Sequence, residues 1–542
     1  MTTTKWTLLW LFTIFGSGFV DSPENDAHVV YDSLDTLAEI MITVEANAAS
    51  QAPPAKVVEG AIDGLLSQLD PHSNFYNAKR YRTLREDQAG SFYGIGIMVG
   101  YQNKQLTVIS PLEGTPAAAA GIQAGDVIRK IDTQKTADMD LYDAIRLLRG
   151  AEGSRVRITL SRPRLEKEVE VEVFRAEIPS NNVRASFMLD EKTGYVALKD
   201  FGESAAAEVE SAILQLQSAG MAQLVLDLRG NPGGLLPQAI AVSSLFVPGE
   251  KLVVSTEGRL TSANQKYFSE KSSIVKQTPL VVLIDRGSAS ASEIVAGAIQ
   301  DHDRGLIIGV NSWGKGLVQS VFPIADGKKG LALTTARYFT PSGRNIQGSF
   351  ESLEAYYNPK SSQKDYFEEG EPSQFRTVHG RTVVEVRGIT PDVYLAFKET
   401  PSEVDALTDD HNAFFNFATT RPELYENPAI DWEADDALID DFFTYLQQEK
   451  IPHDEAAKHR TEIQRKLTHQ VLYIKDGKLA WRYLMKHDRH TRSALELFPK
   501  AEKLFQVYLG NEALDSEYTH SLKNYAKLKL SKEKETTKSL RP

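Results

Sequence analysis

Apolar residues recur at intervals of three and four along the first part of the chain, within residues 29–47 and again within residues 57–69. Spacing of this kind predicts amphipathic helices. Pro71 disfavours a helical conformation at Asp70, so the second helix should end near that residue. The pattern therefore predicts a helical N-terminal region, which we place at residues 21–91 together with the start of the core that follows.

From about residue 93 the pattern changes to short strands and turns. The stretches "GIGIMVG" and "LTVISPL" predict strands, "AAAAGIQAGDVI" predicts a short helix, a turn and a strand, and residues 141–148 predict a second amphipathic helix. This order resembles a PDZ domain over residues 92–175; a small β-rich domain with a tight turn is the alternative. PDZ domains add an extended peptide as a strand beside the second helix and bind its terminal carboxylate in a glycine loop. The resemblance places that loop at Tyr93, Gly94, Ile95 and Gly96.

Strands and helices alternate from residue 193 onward. Apolar runs such as "LVLDL", "PLVVLI" and "LIIGV" predict buried strands, and helices are predicted between them at residues 205–218, near 237–245 and from about 292. This alternation predicts an α/β layer fold with a buried, largely parallel sheet. After residue 400 the chain is helical, first acidic and then basic. We assign residues 399–542 to a separate helical C-terminal appendage that ends in a basic tail.

The first twenty residues, "MTTTKWTLLWLFTIFGSGFV", combine one basic residue, an apolar run and small residues after it. This combination is typical of a signal peptide. An uncleaved membrane anchor is the alternative, although the apolar run is short for a span. We therefore expect an exported protein, periplasmic or otherwise extracytoplasmic.

The amino-acid composition restricts the kinds of catalytic residue, metal site and partner that the chain can have. The 542 residues include no cysteine, and 73 acidic against 61 basic residues give a formal net charge of −12. The lack of thiols excludes cysteine nucleophiles, thiolate metal sites and disulfides, and it suits an oxidising compartment. The acidic balance disfavours a general nucleic-acid binder, so we expect protein or peptide partners. No HExxH pair or Asp and His cluster with metal spacing occurs, and we expect neither a metal nor a cofactor.

The stretch "RGSASASEIVAGAIQ" places Ser288, Ser290 and Ser292 between an apolar strand and a helix. A serine at such a junction projects at the carboxyl edge of the sheet, where the helix N-terminus can stabilise an oxyanion. Helix capping explains the same residues, because Ser is a favoured N-cap. The local pattern does not distinguish the three serines.

A lysine follows in "LIIGVNSWGKGLVQSV", where Lys315 stands between two glycines just after a strand. Apolar neighbours such as Trp313, Leu317 and Val318 can desolvate an ammonium group, which lowers its pKa and makes it a base. A solvated surface lysine is the alternative, since most lysines are exposed.

Five segments follow the PDZ-like region in a fixed order: "LVLDLRGNPGG", "GSASASEIVAGAIQD", "GKGLVQSV", "LTTARYFTPSGRNIQG" and "GITPDV". Together with the upstream "LDPHS", they resemble the carboxyl-terminal processing, or tail-specific, proteases, a family of serine endopeptidases. The resemblance covers about residues 57–393. It implies a multidomain α/β protein whose crotonase-like, S41-type protease core, at residues 176–398, contains an inserted PDZ domain and has helical N- and C-terminal regions.

The resemblance also implies the catalytic residues. The family has a Ser-Lys dyad, and the match assigns the nucleophile to Ser290 and the base to Lys315. Gln319 occupies the position of a family glutamine, which implies that its side chain orients the lysine amine. Ser288 and Ser292 are then turn and cap residues.

The oxyanion hole is implied at the amide of Ala291 and at Gly233 or Gly234, with the choice between the two glycines left open. Two histidines are weaker candidates for the chemistry. His302 lies about three helical turns from the serines, roughly 15 Å or more along the helix axis, which is too far for a triad. We expect His72, in the "DPHS" turn, to pack or hydrogen-bond locally.

The implied function is an exported serine endopeptidase that binds protein C-termini through its PDZ domain and cleaves near them through an acyl-enzyme. A catalytically silent PDZ scaffold or chaperone with the same fold is one alternative, and an enzyme acting on small acyl compounds is another, because fold alone does not set function. We expect residues 349–387 to form a surface insertion or flap. The helices after residue 398 are candidates for homo-oligomer contacts or for docking an adaptor protein.

Overall fold

The computed structural model describes residues 24–514, apart from residues 51, 90, 103, 163–166, 271–274, 276, 351–355, 357–372, 397–399 and 426–430. The predicted signal peptide and the basic tail lie outside the described residues. The chain divides into two compact units, Met1–Asp70 and Pro71–Pro542. Among the helices of the described residues, none has the length and apolar character that a membrane span requires.

The helices of the described residues, in chain order, are α1 Glu24–Asn47, α2 Pro54–Ser67, α3 Ala78–Ala89, α4 Pro116–Ala119, α5 Leu141–Leu148, α6 Ala205–Ser218, α7 Leu236–Phe246, α8 Ala291–Asp301, α9 Ser402–Asp409, α10 Ala413–Thr419, α11 Asp436–Gln448, α12 Arg460–Lys475, α13 Gly477–His487 and α14 Arg489–Tyr508. Helices α1 and α2 form the described part of the first unit.

The strands of the described residues, all in the second unit, are β1 Asn74–Tyr76, β2 Ser91–Gly94, β3 Ile97–Gln102, β4 Gln105–Pro111, β5 Val127–Ile131, β6 Gln134–Lys135, β7 Arg155–Ser161, β8 Val169–Phe174, β9 Ala176–Pro179, β10 Val183–Met188, β11 Thr193–Leu198, β12 Gln223–Asp227, β13 Leu252–Glu257, β14 Gln265–Phe268, β15 Leu280–Ile284, β16 Leu306–Gly309, β17 Leu317–Ile324, β18 Lys329–Phe339, β19 Gln374–Arg376, β20 Thr382–Val384 and β21 Val393–Tyr394.

A six-stranded sheet in the order β10-β11-β12-β15-β16-β21 forms the core of the second unit. Every pairing except β10 with β11 is parallel, which confirms the predicted α/β layer fold. The strands β11, β12, β15 and β16 carry almost uninterrupted apolar residues because both faces of the sheet are buried. One face packs against α6, α7 and α8, as shown by the cluster that joins Leu226 and Val282 to Val242 and Val295.

The PDZ-like part enters and leaves the chain through one short ribbon. Its entry strand β2 pairs antiparallel with its exit strand β9. Beyond this ribbon, strands β3-β4-β5-β7-β8 form a sheet, with β6 paired to β5, and α4 and α5 contribute to its separate apolar core. Strand β3 is an edge of that sheet and pairs, among the described strands, with β4 alone.

A second, antiparallel sheet was not predicted from the sequence. It has the order β1-β18-β13-β14, and β17 pairs along most of β18. Strand β17 is largely half-exposed or exposed, so it lacks the continuous apolar run that marked the strands of the core sheet. The β17–β18 hairpin carries residues of the candidate site.

The second face of the core sheet is covered by the C-terminal helices α13 and α14. Phe498, Ala501 and Leu504 form one apolar cluster with sheet residues such as Val225 and Leu283. The expectation of a separate appendage is therefore wrong for these two helices, because without them this sheet face would lie open to water. Helices α9 to α12 have a core of their own, and the domain boundary at residue 399 stays a prediction.

Residues 381–384 of the 349–387 segment are buried, so the expected placement on the surface is wrong for them, whereas residues such as Arg376 and Val378 are exposed as expected. The hairpin β19–β20 lies in this segment, and Arg381 is 4% exposed. Arg381 donates to the carboxylates of Asp303 (2.5 Å) and Asp392 (2.6 Å), and both of these are also buried. A buried guanidinium placed between two carboxylates fixes this part of the segment to the core.

Candidate active site

The turn between β15 and α8 holds Ser290 in a strained conformation. Its φ of +53° and ψ of −111° lie in a region that residues other than glycine rarely adopt. Ala291, the next residue, begins α8. Ser290 is partly exposed and stands at the carboxyl edge of the parallel sheet, where the amides and dipole of the helix N-terminus favour a negative charge. Strain of this kind, about 1–3 kcal/mol, is concentrated at functional sites.

The two neighbouring serines are buried, and their hydroxyls are hydrogen-bonded to main-chain groups. Ser288 Oγ donates to the Leu228 carbonyl oxygen (2.8 Å) and accepts from the Asp285 amide (3.0 Å). Ser292 Oγ donates to the Asn231 carbonyl oxygen (2.9 Å). Both serines are 0% exposed, so their hydroxyls join the serine turn to the glycine turn that follows β12.

That glycine turn lies directly against Ser290. A Cβ built on Gly233, whose φ is +105°, would be 2.8 Å from Ser290 Cβ and 3.0 Å from the Ala291 nitrogen. The Gly233 amide donates to Asn231 Oδ1 (2.9 Å), whereas we find no acceptor for the Gly234 amide among the described residues. Ala291, as the first residue of α8, has no acceptor within its helix. Among the described residues, the amides of Ala291 and Gly234 therefore have no hydrogen-bond acceptor in the protein.

The side chains of Lys315 and Gln319 are joined by a hydrogen bond. Lys315 Nζ donates to Gln319 Oε1 (2.7 Å), and Gln319 Nε2 donates to the His72 carbonyl oxygen. In a regular strand, residues four positions apart, as Lys315 and Gln319 are, would be separated by about 13 Å along the chain, too far for this contact. Here Lys315 lies in the loop before β17, and a bulge at Val318 and Gln319 redirects the glutamine side chain. No hydrogen bond joins Ser290 Oγ to Lys315 Nζ, although both residues lie in the described part of the chain.

Glu293 connects the serine turn to the lysine loop, and the sequence reasoning missed this role. Its Oε2 accepts from the amides of Ser290 (2.8 Å) and Lys315 (2.9 Å), and its Oε1 accepts from the Gly314 amide (2.7 Å) and Ser312 Oγ (2.5 Å). Because one oxygen binds both amides, the two catalytic candidates are held side by side. Burial raises the pKa of Glu293, and these hydrogen bonds act in the opposite direction.

Tyr338 makes the complementary connection through carbonyl groups. Its hydroxyl, carried by β18, lies within hydrogen-bond reach of the Ser290 carbonyl oxygen (3.0 Å) and of the Lys315 carbonyl oxygen. Burial raises the pKa of Tyr338 well above its usual value, so the hydroxyl remains a donor. The pattern Ser-x-x-Glu at the start of α8 was a signal for Glu293, whereas we find no sequence signal for Tyr338.

The two candidate histidines have structural contacts. His302 Nε2 lies 2.7 Å from the Leu252 carbonyl oxygen, and burial lowers the pKa of this side chain. His72 Nε2 lies 2.8 Å from the hydroxyl of Tyr356, which is 284 positions away. The expected local hydrogen bond is present, because Asn74 Nδ2 donates to the His72 carbonyl oxygen (2.6 Å), and the ring has a distant contact with Tyr356 in addition.

The predicted peptide loop connects β2 to β3. Tyr93 is 40% exposed and Ile95 is 2% exposed. Gly94 ends β2, and Gly96 has a φ of +78° that places its carbonyl toward the Leu112 amide (2.9 Å). The loop therefore leads directly into the edge strand β3.

Comparison with known proteins identifies the family of the chain. A family model described as peptidase family S41 matches residues 192–351, and a PDZ domain model matches residues 107–162. The chain is 39% identical over 329 residues to the carboxy-terminal-processing protease of Bartonella bacilliformis, covering 60% of this chain and 75% of that protein. It is 35% identical over 319 residues to carboxy-terminal processing protease CtpB of Bacillus subtilis, covering 58% and 65% of the two chains.

Among solved structures, the photosystem II D1 C-terminal processing protease is 31% identical and covers 67% of this chain and 86% of its own, with a TM-score of 0.36. The assignment of the chain to a family rests on the family models and the sequence relatives and not on this structural similarity. The chain is a serine-type peptidase of family S41 with a PDZ domain, and it belongs to the carboxy-terminal processing proteases.

Proposed function

We propose that the protein is an exported endopeptidase that binds the C-termini of protein substrates through its PDZ domain and cleaves them with Ser290 and Lys315. The observation that carries the catalytic part is the carboxylate of Glu293, which binds the amides of both residues through the same oxygen. The contact of Lys315 Nζ with Gln319 supports a base with a fixed orientation.

In the proposed reaction, neutral Lys315 takes the proton from Ser290 Oγ while that oxygen forms a bond to the substrate carbonyl carbon. The amides of Ala291 and Gly234 donate to the oxyanion of the tetrahedral intermediate. The C–N bond then breaks, and the lysine ammonium returns its proton to the leaving amine. Lys315 then takes a proton from water while the water oxygen bonds to the acyl carbon, the C–O bond to Ser290 breaks, and the lysine ammonium returns the proton to Ser290 Oγ as the acid product leaves. Substrate binding has to bring Lys315 Nζ into hydrogen-bond reach of Ser290 Oγ. Catalytic hydrogen bonds are often long in enzymes without substrate and shorten when substrate binds.

The catalytic proposal is tested by degradation of an unstructured protein. The wild-type enzyme should degrade it, and Ser290→Ala and Lys315→Ala should each reduce kcat by about 1,000-fold or more, because each variant removes a reacting group. Equal degradation by all three proteins would contradict the assignment and favour another nucleophile. Loss of degradation in Ser288→Ala alone would have the same consequence.

We propose recognition of C-termini from the edge of β3, which pairs with β4 alone among the described strands, and from the glycine loop before it. An added peptide strand would pair with β3, and its carboxylate would lie at Gly94, Ile95 and Gly96. A fluorescent peptide with an apolar C-terminal residue should bind at least about tenfold more tightly than its C-terminal amide, since the amide lacks the charge that the loop amides would bind. Equal affinity would contradict this mode.

A matched pair of glycine variants locates the binding. Gly96→Ala places a methyl group 2.3 Å from Thr115 Cβ, whereas Gly114→Ala has a similar positive φ and open space. We expect Gly96→Ala to lose peptide affinity and Gly114→Ala to retain it. Loss of affinity in both variants would point to a general effect of backbone strain and not to the loop.

Export is proposed from the apolar leader at residues 1–20 and the absence of cysteine from the sequence. Fractionation of cells that produce the full chain should place the protein outside the cytoplasm, and mass spectrometry should show a mature N-terminus near residue 20. Cytoplasmic protein with an intact leader would contradict export. Contacts with an adaptor or a second copy through the C-terminal helices stay predictions.

A further inference from the structure

Side chains that have no part in the proposed reaction hold the loop that carries Lys315. Arg387 donates from Nε to the Trp313 carbonyl oxygen (2.8 Å) and from Nη2 to the Tyr356 carbonyl oxygen (2.6 Å). Its guanidinium carbon lies 5.4 Å from the centre of the Trp313 ring and 4.7 Å from the centre of the Tyr356 ring. We call Trp313, Tyr356 and Arg387 the clamp.

Two glycines allow Arg387 to approach the lysine loop. A Cβ on Gly314 would lie 2.5 Å from Arg387 Cγ, and one on Gly348 would lie 3.0 Å from Arg387 Cδ. The two glycines are also joined directly, because the Gly348 amide donates to the Gly314 carbonyl oxygen (3.0 Å). The side chain of Arg387 therefore packs against the main chain next to Lys315.

The clamp also reaches the residue that holds Gln319. The Tyr356 hydroxyl lies 2.8 Å from His72 Nε2, and Trp313 Nε1 donates to the same hydroxyl at 3.4 Å. The rings of Tyr356 and His72 meet edge to face, with centres 5.5 Å apart. The carbonyl oxygen of His72 then accepts from Gln319, whose Oε1 accepts from Lys315 Nζ. A continuous series of contacts thus connects the clamp to the amine of Lys315.

We propose that Tyr356 and Arg387 are positioning residues for Lys315, which rests on the proposed function of that lysine as the base. Arg387 fixes the main chain at Trp313, two residues before Lys315, and Tyr356 fixes the carbonyl group that orients Gln319. Both act through other residues and lie within the 349–387 segment. Because a displacement of about 1 Å can lower a reaction rate by about 100-fold, the clamp controls the chemical step and not substrate binding.

The test compares Tyr356→Phe and Arg387→Lys with Arg376→Lys, using the full chain and a peptide substrate. Tyr356→Phe removes a single oxygen and keeps the ring. Arg376 is a matched control, because it lies in the same segment, is exposed, and donates to the Gly380 carbonyl oxygen away from the lysine loop. We expect the two clamp variants to lower kcat about tenfold or more with KM changed less than about twofold, and the control to match the wild type.

A double-mutant cycle tests the route through Gln319. If Tyr356 acts through that side chain, Tyr356→Phe should lower kcat much less in a Gln319→Ala background than in the wild type. Independent, additive losses would overturn the route. A change in the thermal midpoint of unfolding that accounts for the lost activity, or an equal loss of kcat in Arg376→Lys, would overturn the positioning role.

The two proposals fail in different ways. If Ser290→Ala and Lys315→Ala retain activity, the proposed function fails. If these variants are inactive while Tyr356→Phe and Arg387→Lys keep the wild-type kcat, only the clamp fails. Should Arg387→Lys not fold, Tyr356→Phe alone decides, since its packing is nearly unchanged.

Discussion

At the scale of single residues, Gly233 is the position where one methyl group would meet the candidate nucleophile. Gly233→Ala forces a Cβ to 2.8 Å from both Ser290 Cβ and the Ala289 carbonyl oxygen, so the glycine turn or the serine has to move. We expect kcat to fall about 100-fold or more, as when an oxyanion donor is lost.

The control for that experiment is Gly230→Ala. Gly230 also has a positive φ, +65°, but a Cβ there would meet no atom within 4 Å. It should cost about 1–2 kcal/mol of stability through backbone strain and leave kcat near the wild-type value. Steady-state kinetics and thermal unfolding of both variants make the comparison, and equal kcat values would show that Gly233 does not align the site.

Glu293 gives a second prediction at this scale. Glu293→Gln keeps the shape of the side chain but replaces one accepting oxygen by an amide nitrogen, which cannot accept. Either the amides of Ser290 and Lys315 lose their shared acceptor, or the Gly314 amide loses its own. We expect kcat to fall about 10- to 100-fold with a smaller change in KM, because in both cases the connection between the serine turn and the lysine loop is weakened.

Glu208→Gln is the matched control for Glu293→Gln. Glu208 is likewise a hydrogen-bonded carboxylate, accepting from the Val183 amide (2.9 Å), Ser204 Oγ (2.6 Å) and Asn182 Nδ2 (2.7 Å), but it bonds to neither candidate catalytic residue. Its loss should lower the thermal midpoint without lowering kcat. Parallel losses of kcat in both variants would argue that Glu293 has only a general structural role.

The residues of the site were predictable from the sequence to different degrees. Ser290, Lys315 and Gln319 were assigned through a resemblance, since local pattern left three equivalent serines. The difference in burial among the three serines could not be read from the sequence. It depends on the carbonyl groups of Leu228 and Asn231, which accept from the hydroxyls of the two flanking serines. The Ser-x-x-Glu pattern marked Glu293 only as a residue near a helix start, because its bonds to the Gly314 and Lys315 amides, like the contacts of Tyr338, are made with main-chain groups of other segments.

At the scale of elements, we expect a histidine in helix α12 to make stability depend on pH. Burial, and secondarily the charge of Lys466, lower the pKa of His469 to about 4. The unfolded chain, with a pKa near 6.5, binds more protons than the folded chain between these values. Stability should therefore fall as the pH decreases from about 6.5 to 4, by on the order of 2 kcal/mol from this residue.

The measurement is thermal unfolding of the wild type and His469→Gln between pH 7.5 and 4.5. The variant should lose less stability over this range than the wild type, because glutamine does not titrate. The other histidines are present in both proteins, so the relevant quantity is the difference between the two slopes of stability against pH. Parallel slopes would contradict the lowered pKa of His469.

Elements of the core sheet were predictable and those of the antiparallel sheet were not. The apolar runs of β12, β15 and β16 are continuous because helices cover both faces, and such runs are visible in a single sequence. Strand β17 is partly exposed and bulged at Gln319, and its partner β18 also pairs with β1, far upstream in the chain. Pairings of that separation are set by tertiary contacts and leave little local pattern.

At the scale of the whole molecule, the C-terminal helices complete the core of the second unit. Phe498→Ala in α14 removes a ring that is 4% exposed and packs in the cluster with Val225 and Leu283. We expect a loss of about 3 kcal/mol or more in the free energy of unfolding, from lost burial and the cavity left behind. Leu509→Ala, at a residue 43% exposed, should change stability by less than about 0.5 kcal/mol.

Chemical unfolding, followed by the fluorescence of the intact chain, checks this pair. If α13 and α14 formed an independent appendage, Phe498→Ala would destabilise only a local transition and leave the core transition unchanged. That outcome would contradict the arrangement described above. The same arrangement explains why the sequence suggested an appendage. The apolar face of α14 packs against strands far upstream in the chain, including β12 and β15, and the helical pattern does not indicate which element it packs against.

The central claim is that Ser290 is the nucleophile and that Lys315 activates it. The most direct measurement is peptide mass spectrometry of the intact protein after reaction with a fluorophosphonate, which forms a stable bond to an activated serine oxygen. We expect a single adduct on Ser290, absent from Ser290→Ala and formed at least about 100-fold more slowly in Lys315→Ala, since the base is then missing. An adduct on Ser288, Ser292 or another residue, or labelling of Lys315→Ala at the wild-type rate, would contradict the claim.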